Sequence, residues 1–188
     1  FGRLATGSTS DELLPKKSSS STPYMSIRDT YSVVTATLHT CSLTNLGEVH
    51  CWCKGADGRL GTGGTSDSNS PVHVPFQNHR SVDMIATHNA HNCAITDDGK
   101  MHCWGKNSNG EIGQGYDSNY IHYPQEVQGF SDEIISALSV GDGFSCAVLD
   151  NGSTYCWGKN DLGQLGDGTV QDSNQVDTPL LMPSGLDA

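Results

Sequence analysis

The sequence lacks any apolar run close to the roughly 20 residues that a membrane-spanning helix needs. It is also short of positive charge: 10 Lys and Arg stand against 21 Asp and Glu, for a net charge of -11. A surface of that sign is not built to neutralise phosphates, so nucleic acid and anionic membranes are excluded as expected partners. Hydrophobic residues make up only 35% and aromatics 7%, too few for a helical bundle of 188 residues. The first residues carry no charged-then-apolar leader. What abounds instead is glycine, 22 in all, together with Ser, Asn, Asp and Thr. That composition belongs to short strands joined by many turns, and the expected class is all-β.

The chain repeats itself. Three segments read CSLTNLGEVHCWCKGADGRLGTG, CAITDDGKMHCWGKNSNGEIGQG and CAVLDNGSTYCWGKNDLGQLGDG, beginning at Cys41, Cys93 and Cys146. The period is 93 - 41 = 52 and then 146 - 93 = 53 residues, which suits one four-stranded propeller blade. Phe1-Gly2-Arg3-Leu4 lies over Leu162-Gly163-Gln164-Leu165, so the chain is expected to open inside a repeat and to belong to something larger. The divisions are 1–22, a remnant of a preceding repeat with a Ser-rich connection after Lys16-Lys17; 23–77, 78–129 and 130–188, three repeats with a C-terminal tail.

Each copy carries two cysteines 10 residues apart, with Asn45-Leu46-Gly47, Asp97-Asp98-Gly99 or Asp150-Asn151-Gly152 midway. A three-residue loop ending in glycine makes a hairpin with a left-handed last residue. Folding about it sets Cys41 opposite Cys51, and the same holds for Cys93 with Cys103 and Cys146 with Cys156. Cross-strand disulfides are expected, each contributing ~2 to 3 kcal/mol. Three pairs at one spacing point to an oxidising compartment: extracellular, secretory, an organelle lumen such as that of thylakoids, or a periplasm. The competing reading is reduced, buried thiols in a cytosolic protein. Of the 7 cysteines, Cys53 is left over, for a free thiol or a bond to a preceding part or partner. A zinc site from His50, Cys51 and Cys53 is the weaker reading, because Cys-x-Cys is not a usual zinc spacing and does not recur.

The run x-x-Gly-x-x-x-Cys-Trp-Gly-x-Asn-x-x-Gly-x-Leu-Gly-x-Gly resembles the regulator of chromosome condensation repeat family, particularly its disulfide-bearing exported members. Gly158-Lys159-Asn160 through Gly166 is the best-matching stretch. Departures are Cys53-Lys54-Gly55 in place of Gly-x-Asn, Ala5 where Gly166 has its glycine, and Phe144 where other copies have His39 and His91. The resemblance implies propeller blades of four antiparallel strands, with three blades and a remnant present here. The first blade's strands are expected near 31–37, 40–44, 48–53 and 71–75. Trp52, Trp104 and Trp157 are expected to fill space between blades, with Gly58, Gly110 and Gly163 as repeated structural glycines. Asp67, Asp117 and Asp172 open polar Asp-Ser-Asn triplets ahead of each last strand. They are weak calcium candidates, since the same residues are ordinary turn formers.

No catalytic constellation stands out, no cofactor is expected, and the chain reads as no enzyme. His88 and His91 form a His-x-x-His pair, but in a strand-to-turn region a structural role is the stronger reading. Within the family, a nuclear member exchanges nucleotide on a GTPase and a bacterial member inhibits an enzyme. A plant member senses ultraviolet light through a Gly-Trp-Arg-His-Thr element, where this chain has Ala36-Thr37-Leu38-His39-Thr40 without tryptophan. The expected function is a non-enzymatic protein-protein interaction or scaffold module, an accessory subunit of a larger assembly. The alternatives are calcium-assisted carbohydrate or cell-surface recognition, and a GTPase exchange factor or enzyme inhibitor. Asn151-Gly152-Ser153 also satisfies the N-glycosylation pattern in an expected hairpin turn.

Overall fold

The computed structural model describes residues 30–116, 118–130, 132–173 and 180–181. The stretch 1–22 and the calcium candidate Asp117 lie outside them. The described strands form three four-stranded antiparallel sheets, each taking its strands in chain order. The first holds β1 (Thr30–Thr35), β2 (His39–Thr44), β3 (Val49–Cys53) and β4 (Ser68–His73). The second holds β5 (Val82–His88), β6 (His91–Thr96), β7 (Met101–Lys106) and β8 (Tyr120–Glu126). The third holds β9 (Ile135–Val140), β10 (Phe144–Leu149), β11 (Thr154–Gly158) and β12 (Leu180–Leu181). No helix among the described residues is long and apolar enough to cross a membrane.

The hairpin tripeptides set the registers. Gly47, Gly99 and Gly152 sit at φ of 76°, 75° and 86°, a region where a Cβ is strained. In the first hairpin, Gly47 N–H donates to the Thr44 carbonyl and Thr44 N–H to the Glu48 carbonyl, both at 3.0 Å. Cys41 then faces Cys51 and Leu43 faces Val49, while Ile95 faces Met101 one sheet on. The outer strand differs from the sequence expectation: β4 begins at Ser68, so Ser68 and Asn69 belong to the strand rather than the loop before it. A register shift after Cys51 lets β3 pair Cys53 with Ser68. Pro71 is tolerated because β4 is an edge strand.

The core lies between sheets. One cluster joins Leu43 and Val49 of the first sheet, with Leu60 and Val74 from the segments that follow β3 and β4, to Val82, Ile85, Ala94 and Trp104 of the second, around Cys41 and Cys51. The next joins Ile95, Met101, Ile112 and Val127 to Ile135, Ala147, Leu149 and Trp157, around Cys93 and Cys103. Each sheet thus buries its apolar face only against a neighbour, the condition of a repeat array.

Candidate interaction surface

Polar relays cross both seams. Nε2–H of His39 donates to Asn92 Oδ1 at 2.7 Å, with Thr87 Oγ1 at 2.9 Å. Asn92 Nδ2 donates to the Arg59 carbonyl at 2.9 Å, and the Trp104 indole N–H donates to that same carbonyl at 3.2 Å. One sheet later His91 Nε2 meets Ser145 Oγ at 3.0 Å, and Ser145 donates to the Glu111 carbonyl at 2.9 Å. Trp157 donates to it at 3.1 Å. Burial pushes His39 down to about 4 and His91 to about 3, so both rings stay neutral near neutral pH. His88 pairs with His91 across the β5–β6 turn, but His91 looks into the seam and the two assemble no ligand pair. Trp104 and Trp157 therefore fill the seams and also satisfy a buried carbonyl, whereas Trp52 clusters with Cys53 outside both seams.

The Gly-x-Asn element organises the long loops after β7 and β11. Buried Asn107 accepts Ile112 N–H at 3.0 Å and donates to the Tyr116 carbonyl at 3.0 Å. Asn160 accepts Leu165 N–H at 2.9 Å and donates to the carbonyls of Thr169 and Gln171 at 3.2 and 3.0 Å. In the first sheet Gly55 takes this place, because a Cβ there would lie 1.9 Å from the Ser66 carbonyl oxygen. The loop is tied by Asp67, which accepts Gly55 N–H at 2.9 Å and Lys54 Nζ at 3.2 Å. The Gly55 N–H, ahead of Lys54, holds the Asp67 carboxyl below its ordinary range. Asp172 likewise accepts Asn160 N–H at 2.7 Å. Among the described residues no three His, Cys, Asp or Glu side chains gather as metal ligands.

The three disulfides are Cys41–Cys51, Cys93–Cys103 and Cys146–Cys156, each with Cα atoms 4.1 Å apart. Cys51 is thereby withdrawn from the zinc reading. Cys53 is buried at φ 89°, where Gly105 and Gly158 take φ of 108° and 107°. Gly58, Gly110 and Gly163 all adopt positive φ in the loops that follow. Trp52 is buried on the first sheet.

Antiparallel order places the hairpin turns and the links into β5 and β9 at one end of the sheets, and the long loops at the other. At the long-loop end, a polar cleft of about 220 Å³ lies between the second and third sheets, beside Lys106, Asp142 and Lys159. Asn89 Nδ2 donates to Asp142 across it at 2.6 Å. Burial raises the Glu111 carboxyl, which accepts Asn109 N–H at 2.7 Å. The long loops also expose Leu162 and Tyr116, and the hairpin end has clefts of its own. Leu46 stands 75% exposed between clefts of about 460 and 330 Å³. Tyr31 lines the first, Pro75, Phe76 and His79 the second. At its rim Arg80 pairs with Asp97 and Asp98 at 3.5 and 3.2 Å. Sequence reasoning did not single out Leu46; its one signal is a leucine where the other turns carry Asp98 and Asn151.

Residues 47–95, 98–148 and 151–186 match the regulator of chromosome condensation (RCC1) repeat. The chain belongs to the RCC1 repeat family. Human E3 ubiquitin-protein ligase HERC2 is 32% identical over 170 residues, 90% of this chain but 4% of that protein. Ultraviolet-B receptor UVR8 of Arabidopsis thaliana is 31% identical over 175 residues, 91% of this chain and 38% of the receptor. The crystal structure of Prp20p from Saccharomyces cerevisiae superposes with a TM-score of 0.73 at 18% identity, covering 85% of this chain and 39% of that one. The chain therefore spans well under half the length of these relatives. Its sheets are blades of an RCC1-type propeller, and the first two RCC1 sequence repeats each straddle two of them: 47–95 takes in β3, β4, β5 and β6, and 98–148 takes in β7, β8, β9 and β10.

Proposed function

We propose that this RCC1-repeat chain is a non-catalytic protein-interaction module, an accessory part of a larger assembly in an oxidising compartment, and that it docks through the hairpin end centred on Leu46. The observation that carries the reading is the contrast between the two kinds of residue. The groups able to do chemistry, His39, His91, Asn92 and Ser145, are spent inside the seams, while a large apolar side chain stands exposed at a turn. Prp20p, on the same fold, has binding properties toward Gsp1p and histones, and protein binding is what is carried over here. The oxidising compartment is supported by the three disulfides.

Native isolation, size separation and mass spectrometry of co-migrating chains tests the reading. Migration in a discrete assembly at fixed stoichiometry supports it, and migration alone rejects it. Leu46→Asp is expected to weaken the assembly at least about tenfold, as loss of a central apolar anchor does, with an unchanged melting temperature. A Leu46→Asp chain that assembles normally moves the docking surface elsewhere.

A further inference from the structure

The sequence holds one Asn-x-Ser/Thr pattern, Asn151-Gly152-Ser153, at the tip of the β10–β11 hairpin. The local geometry presents its amide. Asn151 is exposed, and its Oδ1 accepts the Ser153 N–H at 2.8 Å. With the carbonyl side tied back, Nδ2 has no partner among the described residues. A Cβ built on Gly152 meets nothing within 4 Å. At the equivalent glycines a Cβ meets the blade that follows, Ser81 at 2.4 Å from Gly47 and Ile134 at 2.8 Å from Gly99, but the middle residue of the tip points clear of it: Leu46, the counterpart of Asn151 in the first blade, stays 75% exposed although a second blade packs behind that hairpin. A bulky substituent fits such a tip without touching the seams. The Cys146–Cys156 bond that closes this hairpin is of the kind formed in compartments where N-linked carbohydrate is also added.

We infer that Asn151 is an attachment site for an N-linked oligosaccharide. Nδ2 attacks the anomeric carbon of an oligosaccharide carried on a lipid pyrophosphate. The new C–N bond forms as the carbon–oxygen bond to the pyrophosphate breaks, the lipid pyrophosphate leaves, and one amide proton passes to a base of the transferase. Nothing is oxidised or reduced. The sugar stands at the same turn position as Leu46, two blades along, and limits how far a docked partner spreads over the hairpin end. The assignment stands whether or not Leu46 is a docking anchor.

The test uses the full-length protein, purified from its source or from secreting eukaryotic cells, and digested with peptide N-glycosidase in heavy-oxygen water. The expected result is a loss of glycan mass together with heavy-oxygen aspartate at position 151. Asn151→Gln and Ser153→Ala lose the glycan at an unchanged melting temperature, while Ser153→Thr keeps it. An intact mass that does not change on digestion overturns the assignment. So does a glycan that persists in Ser153→Ala, an aspartate at 151 that is present before digestion and lacks heavy oxygen, or a protein found with its cysteines reduced inside the cell.

Discussion

A methyl group on Gly105 would sit 2.4 Å from the Ala90 carbonyl oxygen, on a backbone at φ 108°. Gly105→Ala is therefore expected to cost about 2 kcal/mol or more in chemical denaturation, since both the contact and the conformation oppose it. A cost under about 0.5 kcal/mol would mean that the strand end relaxes freely. Asn92→Ala takes one of two partners from the His39 ring N–H and from the Arg59 carbonyl in a seam, which keep Thr87 Oγ1 and the Trp104 indole N–H, and about 1 to 2 kcal/mol of destabilisation is expected from the two lost hydrogen bonds. The roles of His39 and His91 as structural residues were legible from their recurrence. Their partners were not. The position reads Thr40, Asn92 and Ser145 from blade to blade, and the final acceptors are main-chain carbonyls, which leave no trace in side-chain identity.

At the scale of the element, the hairpin with its disulfide could be read almost completely, because a glycine-ended tripeptide between two cysteines leaves one register. The outer strands could not be read as closely. Ser68 and Asn69 have turn-forming side chains, yet pairing to β3 past its irregularity draws Ser68 into β4. The exposure of Leu46 was equally hidden, since a hydrophobic residue in a short turn looks the same whether it folds inward or outward. Because Cys41, Cys51, Cys93 and Cys103 are 0% exposed, these bonds are expected to resist a hydrophilic phosphine until the protein unfolds. Alkylation and mass analysis across a denaturant series reads this directly. Labelling of these four positions under native conditions would show that the blades open individually. Replacing both Cys93 and Cys103 by serine is expected to cost about 3 kcal/mol.

For the whole molecule, the buried histidines set the response to acid. Their folded values of about 4 and about 3 lie below the ordinary 6.5, so the unfolded chain binds protons that the folded chain refuses. Their contribution to stability is complete above 6.5, declines as the pH falls below it, and levels off only beneath the folded values. At pH 5 each is expected to have lost about 2 kcal/mol. His50 and His102, also lowered by burial, act in the same sense, whereas Glu111, raised by burial, acts against it. Melting temperature should fall between pH 6.5 and 4, and His91→Gln should flatten the slope; a flat wild-type profile contradicts the seam assignment. The half-blade offset of the sequence repeat has a genealogical consequence. An excision of 47–98 joins Leu46 to Gly99 and removes 52 residues, the distance from Cys41 to Cys93. Cys41 and Cys103 are then again ten positions apart, in a hybrid hairpin that inherits one strand from each parent blade. Unequal crossing-over at hairpin tips can therefore add or delete a blade in one genetic event and still return every disulfide cysteine to a mate at the ancestral spacing.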